Sequence, residues 1–359
     1  MEKATLTTVG EILSFKSDLV VLERKIKNHE IDWDALVKVG SKHLVLPAIY
    51  SQLQQKKLLQ FIPKDLAIFL EEIATINRNR NLTLLKQITW LSQLFKNNNI
   101  DHVFLKGSAL LAANYYVDPC ERMIGDIDVL VCENQLEQAY KLLMAKGYNP
   151  GKTTFGSVIT GPKHKHLTRL IKATELAAVE IHRKVLKKPY FDYLQPSILL
   201  QKKRFVNNIP VLCETHLLEH NILNLQINDG ANFRKYLHFR TAYDTIVLLN
   251  KNPIINLKKA YPKSYFQNYF VIYALYFNDF ELKKPSFQSK VHLQLYKFKT
   301  RSHSNEKNWN IVVFYYYLFS KLINRSWYFM TKKEYRNGVI KYRKRIINDL
   351  KTSLLKAKK

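Results

Sequence analysis

Cysteine is scarce in this chain: Cys120, Cys132 and Cys213 are the only three, and no two stand in C-x-x-C spacing. Neither a disulfide framework nor a thiolate zinc site is suggested, and a reducing cytoplasm is the expected compartment. Acidic residues are also short, 29 against 57 Lys and Arg, which leaves a formal net charge of +28. Such a surplus attracts anions, among them nucleotides, nucleic acid and acidic lipid head groups, although a lysine-rich composition alone is weak ground for a partner. Long apolar runs are missing too. The opening MEKATLTTVGEILSFKSDLVV sets acids among short apolar groups and has neither the apolar centre nor the small-residue cleavage site of a secretion signal. The aromatic stretch WNIVVFYYYLFSKLINRSWYFM is broken at Lys321, Asn324 and Arg325, too early for a spanning helix. A soluble protein with room for peripheral membrane contact is expected. There is no fixed-period repeat, nucleophile elbow, dinucleotide fingerprint, EF-hand loop or H-E-x-x-H pattern.

What remains is a globular composition, with 47% hydrophobic and 24% charged residues over 359 positions, enough for two or three domains. Residues 1–98 read as helical. Asp32 is a plausible N-cap in IDWDALVKVG, Pro47 marks a fresh helix start, and Leu84, Ile88, Leu91 and Phe95 recur on one helical face. The period then changes. IDHVFL reads as a strand, KGS as a turn, ALLAANYY as a helix, DIDVLVC as a strand and NQLEQAYKLLMAKG as a helix. KHLTRLI and LAAVEIHRKVL follow as a hairpin. Residues 99–205 are therefore expected to form an α/β unit. Residues 206–359 return to helices, aromatic and basic toward the end.

Chemistry concentrates in FLKGSALLAANYYVDPCERMIGDIDVLV. KGS fails the P-loop pattern, because Lys106 precedes the only glycine. A strand, then Gly107-Ser108, then a helix still offers unpaired N–H groups to an anion. In the strand DIDVLV, alternation places Asp126 and Asp128 on one face and Ile127, Val129 and Val131 on the other. A third acid, Glu180, interrupts the apolar AAVEIHRKV in the same manner and shares its face with His182. An isolated D-x-D is most often a solvated edge. Three strand carboxylates downstream of a phosphate-type turn instead match a two-Mg²⁺ phosphoryl-transfer site.

LKGSALL…R…GDIDVLV resembles the signature of the polymerase-β-like nucleotidyltransferase superfamily. More narrowly, the chain resembles an uncharacterised bacterial nucleotidyltransferase family over most of its length, including HKHLTRLIK…VEIHRKV and HLLEHNIL…RTAYDTIVLL. The resemblance implies an α+β fold, a small mixed-sheet nucleotidyltransferase core flanked by N- and C-terminal helical regions. It implies transfer of NMP from an NTP, ATP foremost, to an acceptor hydroxyl on a small molecule, protein or RNA, with release of pyrophosphate. By position, Gly107 and Ser108 would hold the phosphates with Lys106 and Arg122 beside them. Asp126 and Asp128 would bind two magnesium ions, and Glu180 would be the third carboxylate. His164, His166 and His182 would line the site. Two departures stand out: the long gap from Ala109 to Gly125, and Arg183 where the family commonly has tryptophan.

A rival reading makes the basic, aromatic C-terminal region a nucleic-acid-binding surface and the α/β unit a non-catalytic nucleotide-binding scaffold. For that region the plainer expectation is an aromatic helical core with a solvated cationic face. His216 and His220, at i and i+4, are expected to pack or hydrogen-bond rather than to ligate metal.

Overall fold

In a computed structural model of the chain, residues 2–151, 165–252, 263–280 and 284–358 are described. His164 lies outside the described residues.

Helices lead. α1 (Glu2–Leu13), α2 (Leu19–Lys27), α3 (Trp33–Lys42) and α4 (Leu46–Gln55) are short, and the 34-residue α5 (Lys64–Asn97) closes the series. Asp32 caps α3 as expected, its carboxylate accepting from Ala35 N at 2.9 Å, and Pro47 stands in the first turn of α4. Leu84, Ile88, Leu91 and Phe95 of α5 are fully buried, so the face read from their spacing is the core face.

A mixed seven-stranded sheet follows, made of β1 (His102–Phe104), β2 (Asp126–Val131), β3 (Asn149–Pro150), β4 (Leu170–Ile171), β5 (Ala178–His182), β6 (Arg204–Val206) and β7 (Ile209–Val211). Its order is β3-β4-β5-β2-β1-β7-β6. β2 runs parallel to β5 and antiparallel to β1, and β1 runs parallel to β7. α6 (Lys106–Ala112) and α7 (Leu136–Ala145) connect the early strands. The fold is α+β, a mixed sheet with helical segments on both sides in sequence.

Local chemistry explains where the chain departs from the expectation. KGS is not a turn but the opening of α6, entered through Lys106 at φ 50, and the helix stops at Ala112 rather than running to Tyr116. The expected hairpin is present, with Leu170 opposite Val179. A second hairpin was not signalled by alternation. Asn207 and Asn208, at φ 50 and 65, turn β6 into β7 where the sequence reads as helix from Val211 onward. Beyond the sheet, α8 (Glu214–Leu223) passes into a π-turn over Asn224–Asn228, and Gly230 at φ 74 breaks the run before α9 (Phe239–Lys251).

By contact the chain forms two compact units. One comprises Met1–Gly151, Lys165–Asn232 and Leu237–Leu293; the other holds Phe233–Tyr236 and Gln294–Lys359. The second contains α10 (His303–Thr331), α11 (Lys333–Lys341) and α12 (Arg343–Lys358). The expected aromatic core is present upstream, where Tyr269, Tyr273, Phe277 and Phe280 are buried, but not in α10, of which only Val313 is buried among the described residues. None of the described helices is long and apolar enough to cross a membrane.

Candidate active site

Register builds the site. Parallel pairing of β2 and β5 sets Asp126 opposite Ala178, Asp128 opposite Glu180 and Leu130 opposite His182, so all six side chains share one sheet face. Asp128 is at the centre. Its Oδ1 accepts from Lys106 Nζ at 2.6 Å and meets His182 Nε2 at 2.7 Å. Glu180 Oε2 lies 3.7 Å from the same nitrogen. Ligand atoms of Asp128, Glu180 and His182 fall within 4.8 Å of one another, a group able to hold a metal ion. Asp126 is one step along β2, half-buried and not part of that tight group.

The charges respond to this crowding. Burial pushes the Asp128 carboxyl up, but Lys106 and then His182 hold it well below the usual carboxylate range. Asp126 moves the other way, raised by burial and then by its neighbours Asp128 and Glu180. Glu180 is lowered, chiefly by His182. Lys106 is raised, because Asp128 outweighs the loss of water around the ammonium.

The strand-to-helix junction grips Asp128 by its main chain as well. Leu105 N donates to Asp128 O at 2.9 Å, and the Ser108 hydroxyl donates to Leu105 O at 2.6 Å and to Asp128 O at 3.3 Å. Gly107 permits a close approach. A Cβ there would meet Ile124 Cγ1 at 3.1 Å and the Arg122 guanidinium at 3.4 Å. Arg122 is buried and paired with Asp244 at 2.9 Å, while Tyr116 donates to the same carboxylate at 2.7 Å.

Of the histidines read from the sequence, His182 stands at the centre. His166 lies beside it, with ring centroids 5.3 Å apart, and its pKa is lowered by burial. His216 hydrogen-bonds Cys213 Sγ at 3.3 Å, in keeping with a local role. His220 is buried, its Nε2 has no hydrogen-bond partner, and burial followed by the nearby Lys106 pulls its pKa down to about 3. Arg183 turns to Glu133.

Two cations at the site were not picked out from the sequence. Arg240, on α9, donates to Met123 O at 3.0 Å in the loop that leads into Asp126. Its buried Nε has no partner, and burial followed by Arg122 lowers its pKa to about 10. Lys165, just before β4, is lowered by burial and then by Lys106; Asp128, Asp229 and Glu180 are its acidic neighbours. Among the described residues neither cation has a carboxylate at ion-pair distance. The available signal for Arg240 was a pair of charges, Arg240 and Asp244, set in the apolar run FRTAYDTIVLL. Nothing local marks Lys165.

Carboxylates and a histidine converging on one sheet face, with surplus cations around them, make a centre fitted to metal ions and anions. Residues 29–261 match the family described as uncharacterised nucleotidyltransferase, and the chain belongs to that family. Among solved structures, an antigenic nucleotidyltransferase-like protein from Paracoccidioides brasiliensis aligns at 15% identity, over 53% of this chain and 88% of that one, with a TM-score of 0.35. No curated protein matches the chain.

Proposed function

We propose that the protein is a magnesium-dependent enzyme of the polymerase-β-like type that transfers NMP from an NTP, ATP foremost, to an acceptor hydroxyl and releases pyrophosphate. The observation that carries this reading is the β2–β5 register, which sets Asp128 against Glu180 on the face that also bears Asp126. The donor set fits a hard divalent cation: three carboxylates offer oxygen ligands, and one imidazole adjoins them. Asp126, Asp128 and Glu180 would hold two Mg²⁺. When bound, the metal neutralises charge growing on the attacking and leaving oxygens.

The chain's own groups supply the rest. His182 fixes the Asp128 carboxylate through its 2.7 Å contact. Glu180, kept ionised by His182, is the base for the proton of the acceptor hydroxyl. Gly107 lets the chain pass close to Arg122 and Ile124, and Ser108 locks the strand-to-helix junction. Lys106 and Arg122 are balanced by Asp128 and Asp244. Arg240 and Lys165, both half-buried, are not, and a cation partly stripped of water without a counter-ion is costly. A triphosphate supplies the missing charge and suits a guanidinium fork, so we assign the phosphate contacts first to Arg240 and Lys165. A cytoplasmic setting belongs to the same reading.

Titration calorimetry with ATP, GTP, CTP and UTP in Mg²⁺ tests it. At least one nucleotide should bind, and only with the metal present. Asp126→Asn should abolish that binding with the thermal midpoint unchanged. Arg240→Gln should weaken it about ten- to hundredfold, or about 1.4–2.8 kcal/mol. Absence of binding by all four to folded protein would overturn the reading.

A further inference from the structure

The second compact unit holds a surface that the catalytic reading leaves unused, and its helices α10 to α12 lie outside the family match. Along α10, Val312, Tyr316, Phe319, Ile323, Trp327 and Met330 are each between 56% and 67% exposed. Their spacing of four, three, four, four and three residues puts them on one side of a helix of about 3.6 residues per turn, a stripe about 27 Å long. Lys321 and Arg325 fall on the opposite side. Within the same unit, the Phe233 ring lies tilted against Tyr316 with centroids 4.6 Å apart and the Arg234 guanidinium lies over Tyr317 at 4.9 Å, but the rest of the stripe is exposed.

Charge narrows what can cover such a face. Between His303 and Lys358 the only acids are Glu306, Glu334 and Asp349, whereas α11 and α12 add Lys333, Arg336 and Lys341 and then the consecutive Arg343, Lys344 and Arg345. A second copy would bring an equally basic surface against this one. Single-stranded nucleic acid is held where aromatics and cations share a groove, and here they stand on opposite sides of α10. An apolar, Trp- and Tyr-bearing face backed by cations is the pattern of a helix lying in a membrane interface. α10 is not apolar enough to cross, as none of the described helices is.

We infer that α10 docks the protein on an anionic lipid bilayer, its apolar stripe entering the head-group boundary while cations of α10 to α12 meet acidic lipid heads. The site would take phospholipid rather than a soluble ligand, and it does not depend on the nucleotidyl-transfer reading.

Co-sedimentation of the full-length protein with vesicles decides it. Phosphatidylcholine/phosphatidylglycerol vesicles should bind at least about tenfold more tightly than phosphatidylcholine alone, and binding should weaken as salt rises. Phe319→Ser/Ile323→Ser should lower that affinity at least about tenfold, because apolar burial drives insertion. Both positions are exposed, so the thermal midpoint should hold. Lys321→Gln/Arg325→Gln should reduce the preference for the acidic lipid. Equal binding by wild type and the Ser variant would overturn the inference, as would failure of the wild type to bind either vesicle. Dimerisation without lipid that the Ser variant abolishes would overturn it in favour of a second copy. Retention of an RNA oligonucleotide without vesicle binding would overturn it in favour of nucleic acid.

Discussion

Asp126 and Asp128 have the same side chain two positions apart, yet the protein treats their charges in opposite ways. Asp128 is buried against Lys106 and His182, and its depressed pKa means that ionisation stabilises the fold at neutral pH, an advantage lost as pH falls through its folded-state value. Asp126 is raised by burial and by its acidic neighbours, so its charge is a burden that grows as pH rises. Asparagine at the two positions therefore has different consequences. Asp128→Asn leaves Lys106 without its counter-charge and should cost about 3 kcal/mol in urea unfolding at neutral pH. Asp126→Asn should be neutral or slightly stabilising in the same experiment. Equal loss from both would contradict this division of labour. Their pairing on one face was legible from the alternation of DIDVLV; the difference between them was not, because it depends on a lysine and a histidine brought in by tertiary structure.

At the scale of elements, two glycines register how tightly helices approach their neighbours. A Cβ on Gly10 of α1 would lie 2.1 Å from the main-chain oxygen of Tyr276, which cannot swing aside. One on Gly107 would press on the side chains of Ile124 and Arg122, which can shift. Gly10→Ala should cost about 3 kcal/mol and Gly107→Ala about 1 kcal/mol, read as shifts in chemical unfolding midpoints. Several element boundaries followed from local chemistry alone: the Asp32 cap, Pro47, the buried face of α5 and the β4–β5 hairpin. Others had no local signal. Lys106 at φ 50 starts a helix where Lys-Gly-Ser suggests a turn, whereas Asn207-Asn208 between Phe205-Val206 and Ile209-Pro210-Val211 was a hairpin signal that went unread. The aromatic run of α10 has the composition of a core, and its exposure arises from the lack of a covering element among the described residues. Arg240 and Lys165 reach the site from segments far apart in sequence, so only the fold reveals that they converge.

Over the whole molecule, buried titratable groups set the pH range of stability. Burial lowers His43 and His102 from 6.5 to about 4 and His238 to about 3. The unfolded chain binds those protons more tightly, so stability is full above about pH 6.5 and is lost as pH falls toward 4. Glu219 has the opposite sign. Burial raises it from 4.5 to about 7, so its contribution falls as pH rises across that interval. Thermal midpoints should therefore climb from about pH 4 to about pH 6.5. The advantage of Glu219→Gln over wild type should be absent near pH 4 and largest above about pH 7; a constant offset would refute the assignment. One helix ties this molecule together at a larger scale. From α5, Asn81 holds Pro119 O at 2.6 Å and Arg122 O at 2.7 Å on the approach to β2, and Gln87 holds Ala177 O at 2.9 Å just before β5. The grips are six positions apart, which corresponds to about 9 Å of helix. α5 thus works as a clamp on two approaches at once: pairing of β2 with β5 sets acid against acid, and a helix that carries none of those acids holds the chain on its way into both strands.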